Sequence, residues 1–264
     1  MALPRPRAAC VLAATIALVT SAAHAQTNAP SVAQAVGLLE EIARRFTQLQ
    51  SLQYHAERVS TVGRRTVTER WRFAYRSPDR LRLEYLAPQV RLVTATPDVL
   101  WEYIPAAGKA LKTDLRKLEA EDRSQRLLQS LARVALEGLH PSPIEPFKAR
   151  ATRAALHPAD AGLWVLEGES PRYRLTLEPV RKLLMASEVY DDQGNLTIKT
   201  EAADAVNLGS EGWFPGRIRV SHLLDAETIV SEVRLTDVQL NQPVADNRFE
   251  FTPPPRVRVM TPDR

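Results

Sequence analysis

The sequence has few of the residues that build disulfides, metal sites or covalent active sites. Its single cysteine is Cys10, near the N-terminus, so the rest of the chain offers no disulfide and no thiolate nucleophile or ligand. The five histidines show no zinc-ligand spacing, and the ten glycines form no phosphate-binding loop. A G-x-S-x-G nucleophile turn is also missing. We therefore predict no catalytic residue, no metal and no cofactor.

The chain also lacks a strong charge of one sign and a long apolar run. Thirty-five lysines and arginines stand against 31 acidic residues, a near balance that argues against a dedicated nucleic-acid or anionic-membrane binder. No segment after the first 20 residues approaches the roughly 20 apolar residues of a transmembrane helix. We expect a protein that binds no nucleic acid and does not span a membrane.

The N-terminus has the features of an export signal. Arg5 and Arg7 precede a short apolar run over residues 8–20, and Ala23-His24-Ala25 fits the A-x-A cleavage pattern. We predict that residues 1–25 form a secretory signal peptide cleaved between Ala25 and Gln26. Residues 26–264 are then expected to form a single domain, and the richness in alanine, arginine and proline suggests a bacterial periplasm.

Hydrophobic periodicity predicts two helices and about a dozen strands. Apolar residues three or four apart predict a helix over residues 31–49 with Ser31 as its N-cap, and a second helix over residues 119–138. Between them, residues 52–115 indicate about six short strands. The strands predicted after the second helix are 148–157, 163–168, 172–178, 184–191, 196–203, 216–224 and 228–240.

Alternating large apolar and charged residues mark the first group of strands. Trp71, Phe73 and Tyr75 alternate with arginines, and Leu81, Leu83 and Tyr85 follow in the same pattern. Such a period of two indicates adjacent antiparallel strands with one wet face and one covered face. The covered side chains are consistent either with ordinary core packing or with the wall of a ligand cavity.

Mostly hairpin connections point to one strongly curved antiparallel sheet. Its inward side chains outnumber the positions that two helices can cover. The residues leave open a closed barrel with a filled core and a half-closed barrel with an apolar cavity.

Several stretches resemble the periplasmic outer-membrane lipoprotein carrier and sorting proteins, the LolA-like family. They are W-R-F-A-Y-R-S-P-D-R-L-R-L-E-Y (71–85), L-W-E-Y-I-P (100–105) and N-R-F-E-F-T-P-P-P (247–255), together with the order of signal, helix and strands. The resemblance implies an α+β, mainly β fold: a half-closed β-barrel with helices as its lid. One departure is Ser77, which stands where the family has an arginine that latches the lid, while Arg76 should point to the opposite face.

The resemblance implies a carrier that takes the acyl chains of lipoproteins, or other lipids, from an inner-membrane ABC exporter to an outer-membrane acceptor, acting as a monomer. We predict that the lipid-binding floor consists of Trp71, Phe73, Tyr75, Leu81, Leu83, Leu92, Trp101 and Tyr103. The predicted lid residues are Ile42, Phe46, Leu127, Leu131 and Val134.

Two other hypotheses remain at this point. The chain could be a non-catalytic periplasmic sensor or accessory protein of the same fold that binds a membrane partner or a lipid signal. It could also be an enzyme acting on lipid or envelope glycan, for which the residues offer no catalytic constellation.

Overall fold

A computed structural model describes residues 29–117, 145–224 and 227–261 of the protein. The predicted signal segment, with Ala25 and Gln26 at its cleavage site, and the predicted helix over residues 119–138 lie outside the described residues. In the described ranges, no helix has both the length and the apolarity that crossing a bilayer requires.

Helix α1 spans Val32–Thr47 and confirms the first predicted helix. Its N-terminus is closed by a capping box: the Gln34 backbone N–H donates to the Ser31 hydroxyl at 3.2 Å, and the Ser31 N–H donates to the Gln34 side chain at 2.8 Å. The apolar stripe of α1 is buried, with Leu39 and Ile42 almost inaccessible to solvent. The helix therefore begins where its cap residue predicts and is held by one apolar face.

Strands dominate the rest of the described chain. They are β1 Ser51–Val62, β2 Arg65–Arg76, β3 Arg80–Ala87, β4 Arg91–Ala95, β5 Val99–Ile104, β6 Lys109–Asp114, β7 Ala151–His157, β8 Asp160–Gly168, β9 Tyr173–Glu178, β10 Leu183–Tyr190, β11 Leu196–Ala203, β12 Val206–Asn207, β13 Trp213–Phe214, β14 Arg217–Leu224, β15 Glu227–Leu240 and β16 Arg258–Met260. A short helix, α2, occupies Glu145–Ala149. The predicted strand at residues 148–157 consequently starts later, at Ala151.

Fourteen strands form one sheet in the order β16-β6-β5-β4-β3-β2-β1-β15-β14-β11-β10-β9-β8-β7. Neighbouring strands are antiparallel except for β16, which pairs with β6 in parallel. Among the described strands, β16 and β7 each have one neighbour, so this curved sheet is not closed. The mainly β architecture with few helices is as predicted, whereas β12, β13 and β16 were not predicted.

The sheet has two faces of different chemistry. The face that packs in the main apolar cluster with α1 is here called the inner face, and it includes Tyr54, Phe73, Leu175 and Ile218. The opposite, outer face carries cross-strand ion pairs such as Arg217 with Glu232 at 3.9 Å. Side chains alternate between the faces because the strand period is two.

The segment after β15 crosses the outer face of the first strands. The Thr94 hydroxyl donates to the Phe249 carbonyl at 2.8 Å, and the Arg76 guanidinium donates to the Val244 carbonyl at 2.6 Å. Val244 and Phe249 bury Ala74 in a second apolar cluster. Residues 244–251, here called the tail, therefore cover a part of the sheet that the alternation alone marks as exposed.

Candidate functional site

Five of the eight predicted floor residues lie together on the inner face. Strand pairing sets Trp71 opposite Tyr85, Phe73 opposite Leu83 and Tyr75 opposite Leu81. The five predicted residues of this group are 2–7% exposed, and all belong to the main apolar cluster. The strand alternation therefore identified one contiguous apolar surface, formed by Trp71, Phe73, Tyr75, Leu81 and Leu83, here called the floor.

The other three predicted floor residues lie on the outer face, so the expectation of one shared face is wrong for them. Leu92 pairs with Glu84 and with Tyr103, and Trp101 pairs with Thr94. The β3–β4 turn places Arg91 opposite Tyr85, and this register directs Val93 and Ala95 inward. A change of one residue in the length of a turn shifts the strand register by one, and the side chains that faced the core then face the other way.

The tail explains why these outward aromatic residues need not face water. The Phe251 ring lies 5.7 Å from the Trp101 ring and 5.3 Å from the Tyr103 ring, measured between centroids. Such edge-to-face and tilted pairs are favourable beyond the area that they bury. Trp101 and Tyr103 therefore pack against the chain's own C-terminal segment.

Aromatic contacts extend the floor onto β1, through Tyr54, and along β3, through Tyr85. The Tyr54 and Phe73 rings stack at 4.9 Å, and the Trp71 and Tyr85 rings lie 6.2 Å apart. The indole Nε1 of Trp71 is buried and has no hydrogen-bond partner among the described residues. A buried donor of this kind is costly unless another molecule supplies an acceptor.

Polar residues replace apolar ones farther along the same face. The Arg58 guanidinium donates to the Glu69 carboxylate at 2.7 Å, and its Cζ lies 5.5 Å from the Trp71 ring centroid. Arg91 pairs with Glu102 at 2.8 Å. These ion pairs form a polar belt between the floor and the turns at the end of the sheet where residues 63–64 join β1 to β2.

Helix α1 covers the half of the inner face opposite the floor. It lies over β7, β8, β9 and β10, where Ile42 is fully buried and Phe46 is half-buried. The Phe46 ring lies 6.4 Å from the Phe214 ring. The predicted lid residues Ile42 and Phe46 therefore pack on the inner face, whereas Leu127, Leu131 and Val134 lie outside the described residues.

Arg45 fastens the last turn of α1 to two loops, which the sequence did not reveal. Its guanidinium donates to the carbonyls of Glu211 at 2.9 Å, Trp213 at 3.0 Å and Lys182 at 3.3 Å. Burial lowers the pKa of Arg45, and Glu211 and Glu41 oppose that shift. A Cβ at Gly212, whose φ is +82°, would lie 2.9 Å from the Arg45 Nη2 atom. The only hints in the sequence are that one face of the predicted helix is charged and that glycines flank the later loop.

Two open cavities lie at opposite ends of the sheet. One, of about 300 Å³, is lined by residues that include Arg45, Phe46 and Phe214. The other, of about 270 Å³, lies between the β3–β4 turn and the end of β5 and is lined by residues that include Tyr85, Arg91 and Ile104. Both are near the lower end of the volumes typical of small-ligand sites.

Tyr173 closes the inner face near α2. Its hydroxyl donates to the Phe147 carbonyl, and the two rings meet edge to face at 5.0 Å. Burial raises the pKa of Tyr173 to about 12, so the phenol stays protonated at neutral pH. Within the described residues no three His, Cys, Asp or Glu side chains are placed to hold a metal ion.

Comparison of the sequence with protein-family models and with curated proteins gives no match. Comparison of the fold with solved structures gives several. A DUF1329 family protein from Desulfovibrio piger has a TM-score of 0.55 at 14% identity, over 83% of this chain and 97% of that one. A domain named for outer membrane lipoprotein sorting, from Vibrio parahaemolyticus, gives the same four values.

A LolA superfamily protein from Nitrosomonas europaea has a TM-score of 0.50 at 15% identity, over 81% of this chain and 96% of that one. At such low identities the likeness concerns the fold. It matches the resemblance drawn from residues 71–85, 100–105 and 247–255. The protein thus has the fold shared by DUF1329, LolA superfamily and lipoprotein-sorting domain proteins.

Proposed function

We propose that the protein is a periplasmic carrier that binds the acyl chains of lipoproteins, or of other lipids, on the inner face of a half-closed barrel and ferries them towards the outer membrane. The observation that carries this proposal is the continuous apolar inner face. It runs from the floor on β2 and β3 through β1, β15 and β14 to β9 and β8.

Helix α1 contacts only one part of this face. Helix α1 lies over β7–β10, whereas the floor lies on β2 and β3, on the other side of β1, β15, β14 and β11 in the sheet. An acyl chain would make non-directional contacts with such a surface and gain about 0.8 kcal/mol for each methylene removed from water. The inner face provides the apolar surroundings that a lipid needs in an aqueous compartment.

In this proposal α1 forms part of the lid, together with the predicted helix of residues 119–138 that contains Leu127, Leu131 and Val134. Arg45 holds the end of α1 in place through three backbone carbonyls. In this proposal it anchors the lid in a chain that has Ser77 at the position of the family's latch arginine. The inner-membrane ABC exporter and the outer-membrane acceptor are partners that the resemblance implies.

The proposal is tested with purified mature protein and a fluorescent acyl-chain probe. Leu100 and Trp101 are adjacent on β5, both half-buried, but Leu100 pairs with Ala95 on the inner face and Trp101 with Thr94 on the outer face. Leu100→Asp should weaken probe binding at least about tenfold, because a carboxylate in an apolar site costs well over 1.4 kcal/mol. Trp101→Asp is the matched control and should leave binding unchanged.

Circular dichroism establishes that both variants are folded, and Leu100→Ala serves if the aspartate prevents folding. An absence of probe binding by the wild-type protein, or equal losses in the two variants, would contradict the carrier. If a pull-down then recovered one inner-membrane protein and no lipoprotein, the sensor hypothesis would take its place. Mass spectrometry of co-purifying lipid would identify the cargo.

A further inference from the structure

The β1–β2 hairpin extends well past β3 at one end of the sheet, alongside β15, which stays paired with β1 as far as Val62. Strand β2 leaves its neighbour β3 at Arg70 but continues to pair with β1 as far as Arg65 and Val62. This overhang of five residues corresponds to roughly 17 Å at the usual rise per residue of a strand. Residues 59–68, here called the lip, are exposed along almost their whole length.

Exposed aliphatic side chains gather at this end of the molecule. In the described residues they include Val62, Val67, Val90, Ile104, Ile198 and Leu223, which are 36–55% exposed. Val62 and Val67 lie on the inner face, beyond the polar belt of Arg58 and Glu69. Single exposed hydrophobic residues are ordinary, but Val62 and Val67 are near neighbours across the hairpin, and contiguous exposed apolar side chains are a feature of interaction sites.

The charge at the lip is positive although the whole chain is nearly balanced. Arg64 and Arg65 occupy the turn and the start of β2, and neither has an ion-pair partner among the described residues. The nearest carboxylates on the hairpin, Glu57 and Glu69, are already paired with Arg70 and Arg58.

We propose that the lip docks the protein onto the surface of an anionic phospholipid bilayer. Arg64 and Arg65 pair with headgroup phosphates while Val62 and Val67 enter the interface, as amphipathic membrane-binding segments do. The inner face then opens towards the bilayer, so that an acyl chain passes between lipid and protein with little exposure to water. This inference rests on the proposed carrier function, and it adds the surface through which the carrier is loaded or emptied.

Vesicle co-sedimentation tests the docking, with phosphatidylcholine vesicles that either contain or lack phosphatidylglycerol. The wild-type protein should bind only the anionic vesicles, and added salt should weaken the binding. The double variant Arg64→Gln/Arg65→Gln should bind at least about tenfold more weakly, since each arginine near an anionic surface accounts for roughly fivefold. Val67→Asp should also lose binding.

Two matched controls separate the lip from general surface effects. Val180 is 85% exposed, more than any other large hydrophobic residue of the described ranges, and lies in the β9–β10 turn at the opposite end of the sheet. Val180→Asp should therefore bind vesicles normally. Arg219→Gln/Arg234→Gln removes two exposed arginines from the outer face and should also leave binding unchanged.

Binding of a soluble acyl probe distinguishes failure of this inference from failure of the carrier. The lip variants should bind the probe as the wild type does, because the floor is untouched. Equal binding to both kinds of vesicle, no vesicle binding at all, or equal losses in lip and control variants would overturn the docking surface. Loss of probe binding in the lip variants would also overturn it, by placing the lip inside the acyl site.

Discussion

At the residue scale, Phe73 shows how the floor contributes to stability. It is 2% exposed, stacks on Tyr54 and lies opposite Leu83 on the neighbouring strand. Replacing such a buried ring by alanine removes its transfer free energy and leaves a cavity, and typically costs about 3–5 kcal/mol. We expect Phe73→Ala to lower the free energy of unfolding by that amount in urea titrations.

Val67→Ala is the matched control for Phe73→Ala, because Val67 lies on the same strand and face but is 49% exposed. It should change the free energy of unfolding by no more than about 0.5 kcal/mol. Equal losses in the two variants would show that the floor is not a packed surface.

The ion pairs of Asp246 predict that the attachment of the tail depends on pH. Its carboxylate pairs with Arg76 and, at 3.1 Å, with Arg80, and these arginines lower its pKa. A lowered folded-state pKa means that the stabilisation is present above the unfolded-state value and is lost as the pH falls through the folded-state value.

The variant Asp246→Asn should therefore be less stable than the wild type at pH 7. The difference should shrink as the pH falls below about 4, the ordinary pKa of an aspartate, and vanish once the wild-type carboxyl is protonated. Thermal unfolding midpoints measured across this range provide the check. A difference between the two proteins that does not change with pH would contradict the ion pair.

Arg76 also shows how much of a single residue's environment the sequence can predict. Alternation predicted that Arg76 points away from the inner face, and the structure confirms this by placing its guanidinium against Val244 and Phe249. The destination of the guanidinium could not be predicted, since it depends on a contact between residues 168 positions apart. The local sequence pattern predicts which face of the sheet a side chain lies on. Its partners from distant parts of the chain can be identified only once the fold is known.

At the scale of elements, α1 depends on one arginine as well as on its apolar stripe. Arg45 donates to three backbone carbonyls, while its neighbour Arg44 is exposed. Removing a charged donor from half-buried acceptors costs about 1–3 kcal/mol. We expect Arg45→Ala to lower the free energy of unfolding by this amount and to speed amide hydrogen exchange in α1.

Arg44→Ala carries the same change of charge and should have an effect within about 0.5 kcal/mol. If both variants behaved alike, the stabilisation would come from helix charge and not from the anchoring of α1 to the loops. Unchanged hydrogen exchange in Arg45→Ala would equally contradict the anchor.

The elements were predictable where one local rule decides them. Ser31 with Gln34 set the start of α1, and alternation located most strands within two or three residues. The face of β4 and β5 could not be assigned, because it depends on the residues taken up by the turn at 88–90. The tail was also missed: Phe249 and Phe251 alternate like a strand but instead lie across the outer face.

At the scale of the whole molecule, the two faces of the sheet differ in chemistry and in what packs on them. On the outer face, the tail packs over β2–β5, and ion pairs such as Lys199 with Glu201 and Arg217 with Glu232 lie elsewhere. The inner face gathers the large apolar side chains, then the polar belt, then the lip. In the proposed carrier, a lipid would enter along this gradient, with its polar head towards the cationic lip.

The four tryptophans allow the central claim, binding of acyl chains to the inner face, to be measured directly. Trp71 and Trp164 lie on the inner face, and Trp101 lies on the outer face against Phe251. Variants that retain one tryptophan, with phenylalanine at the other three positions, are titrated with a brominated fatty acid, which quenches only on close contact. The account predicts strong quenching of Trp71 and none of Trp101. Equal quenching of the two, or quenching of Trp101 alone, would contradict it.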